Sequence, residues 1–189
     1  VNIALIVKFM ANYFFKPGNY PEVGTQSQQE HDEFLFNQGP TRGLGKIKFH
    51  DYKAVYASVN LPNINIFKKQ IRLLKLLLVL AKPNQEQRKD IDFLLALGDL
   101  FTLVVYGQLI IENAKLYGIE DDLLDQIFDF MVRDFSDNAL TLYSRTSSTN
   151  IQMYLCSHMV KKPVVNHERF TRVWENDVYA LKDQYSMNA

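Results

Sequence analysis

The sequence predicts an all-α fold, a bundle of six to eight helices around one buried central helix. Three observations carry this. Apolar residues recur at three- and four-residue steps through most of the chain, the spacing of a helix with one buried face. Strand-like alternation is confined to "KIKFH", residues 46–50, which is too short to seed a sheet. Residues 93–111, "FLLALGDLFTLVVYGQLII", carry a single charge, Asp99, and are apolar on every side, as the centre of a bundle must be. With 189 residues, of which 47% are hydrophobic, the chain has enough apolar surface for one core. The expected organisation is a single helical domain over residues 1–189.

Each element follows from its stripe and its ends. Ile3, Ile6, Val7, Met10 and Phe14 line one face of a first helix, stopped by Pro17-Gly18. A loop and a short helix capped by Thr25 or Ser27 are expected next, then a glycine-rich stretch. Asp51 caps "YKAVYASV", which ends before Pro62. Ile64, Phe67, Ile71, Leu74 and Leu78 stripe the following helix, widened by Leu73, Leu77 and Leu80, with Lys68, Lys69, Arg72 and Lys75 on its other face. Lys82-Pro83-Asn84 breaks it. Residues 85–117 then read as one long helix, stopped by Gly118 as its C-cap.

"EDDLLDQIFDFMVRDFSDNALTLYSR" opens with three acids where the helix dipole favours them. Its stripe is Leu123, Ile127, Phe128, Met131, Phe135, Ala139 and Leu142. After "RTSSTN", Ser148 or Thr149 caps a helix that runs to about Met159. Asn166 caps a last helix built on Phe170, Trp174, Val178, Leu181 and Tyr185.

Residues 93–111 also approach the length of a membrane span. Asp99, Gln108 and two glycines interrupt them, and the flanks lack aromatic belts and a cationic bias, so a buried central helix is the expectation and a span the alternative. Gly98 and Gly107 then allow neighbouring helices to approach closely. The formal net charge of zero gives no general attraction to nucleic acid. One cysteine, Cys156, leaves no internal disulfide and fits a reducing, cytoplasmic setting. The opening "VNIALIVKFMANYFF" has no initiator Met and starts inside a helical pattern, so the chain reads as a piece of a longer protein.

The chemical candidates are few. "FNQGPTRGLGKIKFHDY" packs three glycines and three cations together. It fails the phosphate-loop pattern, because five residues separate Gly39 from Gly45 and Ile47 replaces the magnesium-binding hydroxyl. It fails the dinucleotide pattern, because Lys48 stands where the third glycine belongs. What remains is a connector with Gly43 or Gly45 at positive φ, and Arg42, Lys46 and Lys48 as candidate anion contacts.

Cations prevail from Arg42 to Lys75, against Asp51 alone, and acids prevail from Glu86 to Asp137. That asymmetry reads as solvated helix faces, with some basic-to-acidic docking inside the bundle, in preference to a site for an anionic ligand or partner. His31, His50, His158 and His167 are scattered, so no helical metal site is expected. Cys156-Ser157-His158 points its thiol and imidazole apart, and Cys156 reads as a small core residue. Asp99 and Arg133 are the candidate buried ion pair between the two central helices.

Four phrases, "FLFNQGPTRGLGKIKFHDY", "DIDFLLALGDLFTLVVYGQLIIENA", "DDLLDQIFDFMVRDFS" and "VKKPVVNHERFTRVWENDV", resemble the C-terminal part of long bacterial acyl-CoA dehydrogenases, over residues 34–185. The resemblance implies a FAD-dependent enzyme of fatty-acid oxidation that removes an α-proton from acyl-CoA and passes a β-hydride to flavin. It implies a helical C-terminal domain, assembled with the remainder of the dehydrogenase chain and, in the family, as dimers or tetramers. The family's Glu-Gly-Thr motif and middle β-domain have no counterpart here, and no position carries the catalytic carboxylate. The expectation is a non-catalytic segment without its own FAD, supporting assembly or the mouth of the acyl-CoA site. The alternative is an independent helical module that binds a protein or an anionic ligand.

Overall fold

The computed structural model describes residues 3–18 and 49–184. Over these residues the chain forms seven α-helices and no strand. They are α1 (Ile3–Phe15), α2 (Tyr52–Ala57), α3 (Pro62–Leu80), α4 (Ile91–Tyr117), α5 (Asp121–Tyr143), α6 (Asn150–Met159) and α7 (His167–Val173). The all-α bundle is as the sequence predicts.

The long helix α4 is its axis. It packs along α5 and receives α1 and α2, while α3 lies against α5 and α6. Phe93, Leu97, Leu100, Val104 and Ile111 are buried, the centre of a core completed by Phe67 and Leu74 of α3 and Phe128 and Phe135 of α5. It is the one helix among the described residues long and apolar enough to cross a membrane, and over half of its most apolar stretch is buried inside the fold. At Gly107 neighbouring helices come close: a Cβ there would lie 2.5 Å from the Tyr56 hydroxyl and 3.1 Å from the Phe67 ring.

The ends are set by local chemistry. Asp51 Oδ1 accepts the Lys53 amide at 3.0 Å and starts α2. Pro62 occupies the first turn of α3, where its missing N–H costs nothing. Gly118 ends α4 at φ 64, the left-handed conformation that glycine adopts without strain. Of the two caps considered for α6, Thr149 is used, in a reciprocal capping box with Gln152. Asn166 Oδ1 accepts the Arg169 amide at 3.0 Å and caps α7.

Two elements differ from the sequence expectation. The long helix starts at Ile91, not at residue 85. Asn84 and Gln87 exchange backbone-to-side-chain hydrogen bonds at 3.0 and 2.9 Å, which closes a turn in place of a helix. Asp90 then caps α4 by accepting the Phe93 amide at 3.1 Å and is itself held by the Ser147 hydroxyl at 2.6 Å.

The last helix is the second difference. α7 gives way to a π-turn at Trp174–Val178 and a 3-10 turn at Tyr179–Leu181. Its expected stripe faces outward as far as Leu181, with Phe170 52% and Trp174 49% exposed, while Arg169 and Val173 are buried; Tyr185 lies outside the described residues. The reason is electrostatic: α7 is turned so that the Arg169 guanidinium reaches buried carboxylates on α5.

Candidate anion-binding site

Asp51 fixes the first turn of α2, and Lys53 projects from that turn. On α3, positions 68, 72 and 75 follow one another at four- and three-residue steps and share a face. Where α2 lies beside α3, these four cations border a cavity of about 400 Å³, within the range of small-molecule sites. Tyr52, Tyr56, Ala57 and Ile71 line it with them, and among the described residues no carboxylate does.

The tyrosines are rigid. Tyr56 Oη donates to the Val104 carbonyl at 2.7 Å, which ties this wall to the central helix. Tyr52 stacks on Tyr13 with ring centroids 5.1 Å apart. Burial pushes the Tyr56 phenol well above its ordinary pKa, so it stays protonated as a donor.

The cations are partly held in place. Lys68 Nζ donates to the Val59 carbonyl and, at 3.2 Å, to Asn65 Oδ1. The Lys75 ammonium sits 5.3 Å from the Phe15 ring centre and 5.9 Å from that of Tyr52, in cation–π contact with both. Desolvation, and then the charge of Arg72, holds the Lys68 pKa below the usual ammonium range. Lys75 is lowered by desolvation and then by Lys53, with Asp51 acting in the opposite sense. A bound anion would relieve the repulsion in both places.

The other candidates fare differently. Arg42, Lys46 and Lys48 lie outside the described residues, as do the expected caps Thr25 and Ser27. The Asp99–Arg133 pair is not formed. Asp99 is exposed on α4, on the same outer face as Leu95 and Tyr106. Arg133 instead reaches back one turn to Asp129 on its own helix, 2.7 Å away. Cys156 is fully buried, with burial pushing its thiol up to about 12, the behaviour of a core residue. Among the described residues no group of three or more His, Cys, Asp or Glu converges to hold a metal ion.

The buried charge lies elsewhere. Arg169 Nη1 pairs with Asp125 Oδ2, and Arg169 Nη2 lies 3.8 Å from Asp129 Oδ2. Asn63 stitches the cluster together: its amide donates to Asp125 Oδ1 at 2.8 Å, and its side-chain oxygen accepts the Val164 amide at 2.7 Å. The arrangement fastens residues 160–169 to α3 and α5. Sequence reasoning missed it, although Asp125 and Asp129 stand in phase with Phe128 and Val132 on the core face of α5, which is the signal that shows it.

Comparison with protein-family models, with curated proteins and with solved structures gives no match to this chain.

Proposed function

We propose that this chain is a helical, itself non-catalytic domain of an acyl-CoA dehydrogenase-like flavoprotein of fatty-acid oxidation. Its own contribution is to hold an anionic group of a ligand in the pocket between α2 and α3. The observation that carries this is the convergence of Lys53, Lys68, Arg72 and Lys75 on one cavity, with no carboxylate among its described lining residues. The four quoted phrases supply the class of parent enzyme, whose acyl-CoA ligand is polyanionic. FAD and the catalytic carboxylate belong in this reading to the remainder of the dehydrogenase chain.

A second observation supports the role in assembly. Leu95, Tyr106, Leu109 and Tyr117 lie exposed along the outer face of α4, Tyr106 by 57% and Leu109 by 48%. Shallow apolar depressions adjoin this face on both sides. Asp99, Thr102 and Asn113 interrupt this face, so its apolar part is the patch at Tyr106 and Leu109, which suits a surface that packs on more protein.

Calorimetric titration of the chain with coenzyme A, at two salt concentrations, tests the binding half. The expected result is weak binding that fades as salt rises, because exposed charges are screened over about 10 Å at 0.1 M salt. The Lys53→Met/Arg72→Met double variant should abolish it. No binding at low salt, or binding unchanged in that variant, refutes the assignment. Intact mass of the native protein tests the domain half. A longer chain with an upstream β-domain supports it, and a native mass of 22.0 kDa would make this an independent helical module instead.

A further inference from the structure

Two outward faces of the fold carry apolar side chains beside charges of opposite sign. The first is on α3. Leu76 is 41%, Val79 46% and Leu80 63% exposed, at the three- and four-residue steps of one helix face. Lys69 stands on the same face two turns earlier, and Lys82 follows the helix end; both are exposed. Residues 52–85 contain no carboxylate at all. Among the described residues neither Lys69 nor Lys82 has an ion-pair partner.

The second face is on α7 and the turns after it. Phe170, Trp174 and Val178 point outward there, each about half exposed. The arginines of this segment do not neutralise its acids, because Arg169 is spent on Asp125 and Asp129, and Arg172 on Asp122. Asp177 of the π-turn borders one depression with Glu120 and Asp121. Among the described residues these three acids and Glu175 have no ion pair.

The two faces lie at opposite ends of α3. α7 is tied to its start, where Asn63 binds both Asp125 and the Val164 amide. Leu80 is at its far end, about 26 Å further along the axis. One copy therefore cannot cover its own stripe with its own basic face. We propose that the chain associates head to tail: Phe170, Trp174 and Val178 of one copy pack on Leu76, Val79 and Leu80 of a second copy, with the acids beside the stripe facing Lys69 and Lys82. Two exposed apolar patches are then buried together, and the unpaired charges of each gain opposite neighbours. Because the patches differ, the contact is heterologous, and copies add until a ring closes. The cavity between α2 and α3 and its ligand play no part in this inference.

Sedimentation velocity over a concentration series tests it. At low salt the mass should rise above 22.0 kDa with concentration, and added salt should lower it. Leu76→Gln/Leu80→Gln removes the apolar part of one face, and Phe170→Gln/Trp174→Gln that of the other. Each variant alone should self-associate at least about tenfold more weakly than the parent. Each keeps one face intact, so an equimolar mixture should form one-to-one dimers and nothing longer. Circular dichroism checks that both variants fold. A single species of 22.0 kDa at low salt up to about 200 μM, well above micromolar dissociation constants, overturns the inference and gives the two faces to other partners. A mixture that stays monomeric, or either variant self-associating as the parent does, overturns it too.

Discussion

Replacing Gly107 by Ala puts one methyl group where the fold has no room for it. That Cβ would fall 2.5 Å from the Tyr56 hydroxyl, 3.1 Å from Phe67 Cε1 and 3.4 Å from Phe128 Cε1. The hydroxyl cannot simply turn away, because it is buried and bonded to the Val104 carbonyl at 2.7 Å. Overpacking of this kind costs about 1–3 kcal/mol. Displacing Tyr56 from its acceptor adds about 1–3 kcal/mol for a buried polar group left without a partner. Against this, alanine is favoured over glycine inside a helix by about 1 kcal/mol. The net expectation is a loss of roughly 1–5 kcal/mol, summed from those ranges. Urea denaturation followed by circular dichroism reads it directly. Tyr56→Phe removes the oxygen that the methyl meets, so Gly107→Ala should cost at least about 1 kcal/mol less in the Tyr56→Phe background. Equal costs in the two backgrounds, or a Gly107→Ala variant as stable as the parent, would refute the close-approach argument. Because Tyr56 also walls the cation pocket, the single variant should weaken anion binding as well.

Three further outcomes follow from the same structure. Arg169→Met leaves Asp125 and Asp129 buried without their shared guanidinium and should cost about 3–5 kcal/mol in chemical denaturation, much of it recovered by adding Asp125→Asn. Leu100→Ala, at a fully buried position of the central helix, should cost about 2–5 kcal/mol by the same assay. Anion affinity should fall as pH rises toward 10.5, because Lys68 and Lys75 have depressed pKa values in the free pocket and must be protonated to bind. The sign is fixed by that depression: binding favours the charged amines, raises their pKa and takes up protons, which titration in buffers of differing ionisation enthalpy would measure at alkaline pH.

What the sequence made legible was local. Asp51, Gly118 and Asn166 act at the ends assigned to them, because a cap depends on residues within one turn. The core faces of α3 and α5 follow the three- and four-residue period: Leu77 is buried as expected, Leu73 and Leu78 are half-buried and Leu80 is exposed, while on α5 Leu124 takes the core position expected of the half-buried Leu123. The turn that delays α4 was hidden because its decisive bonds are side-chain exchanges between Asn84 and Gln87, reinforced by Gln87 bonding Gln152 some 65 residues away. α7 was misphased for a related reason. An arginine drawn to distant carboxylates outweighs the burial of Phe170 and Trp174, and nothing within the helix announces that. The cation pocket was half legible: the period of α3 puts Lys68, Arg72 and Lys75 on one face, but only the placement of α2 beside it adds Lys53 and encloses a cavity.

The central claim is that the cavity between α2 and α3 is where this chain meets its ligand. Amide chemical-shift mapping during titration with coenzyme A at low salt tests it most directly. The account predicts shifts concentrated at Lys53, Ala57, Lys68, Arg72 and Lys75, saturating together. Shifts centred instead on the depression between the start of α5 and α7, lined by Glu120, Asp122 and Arg172, or on the outer face of α4 at Tyr106 and Leu109, would contradict it.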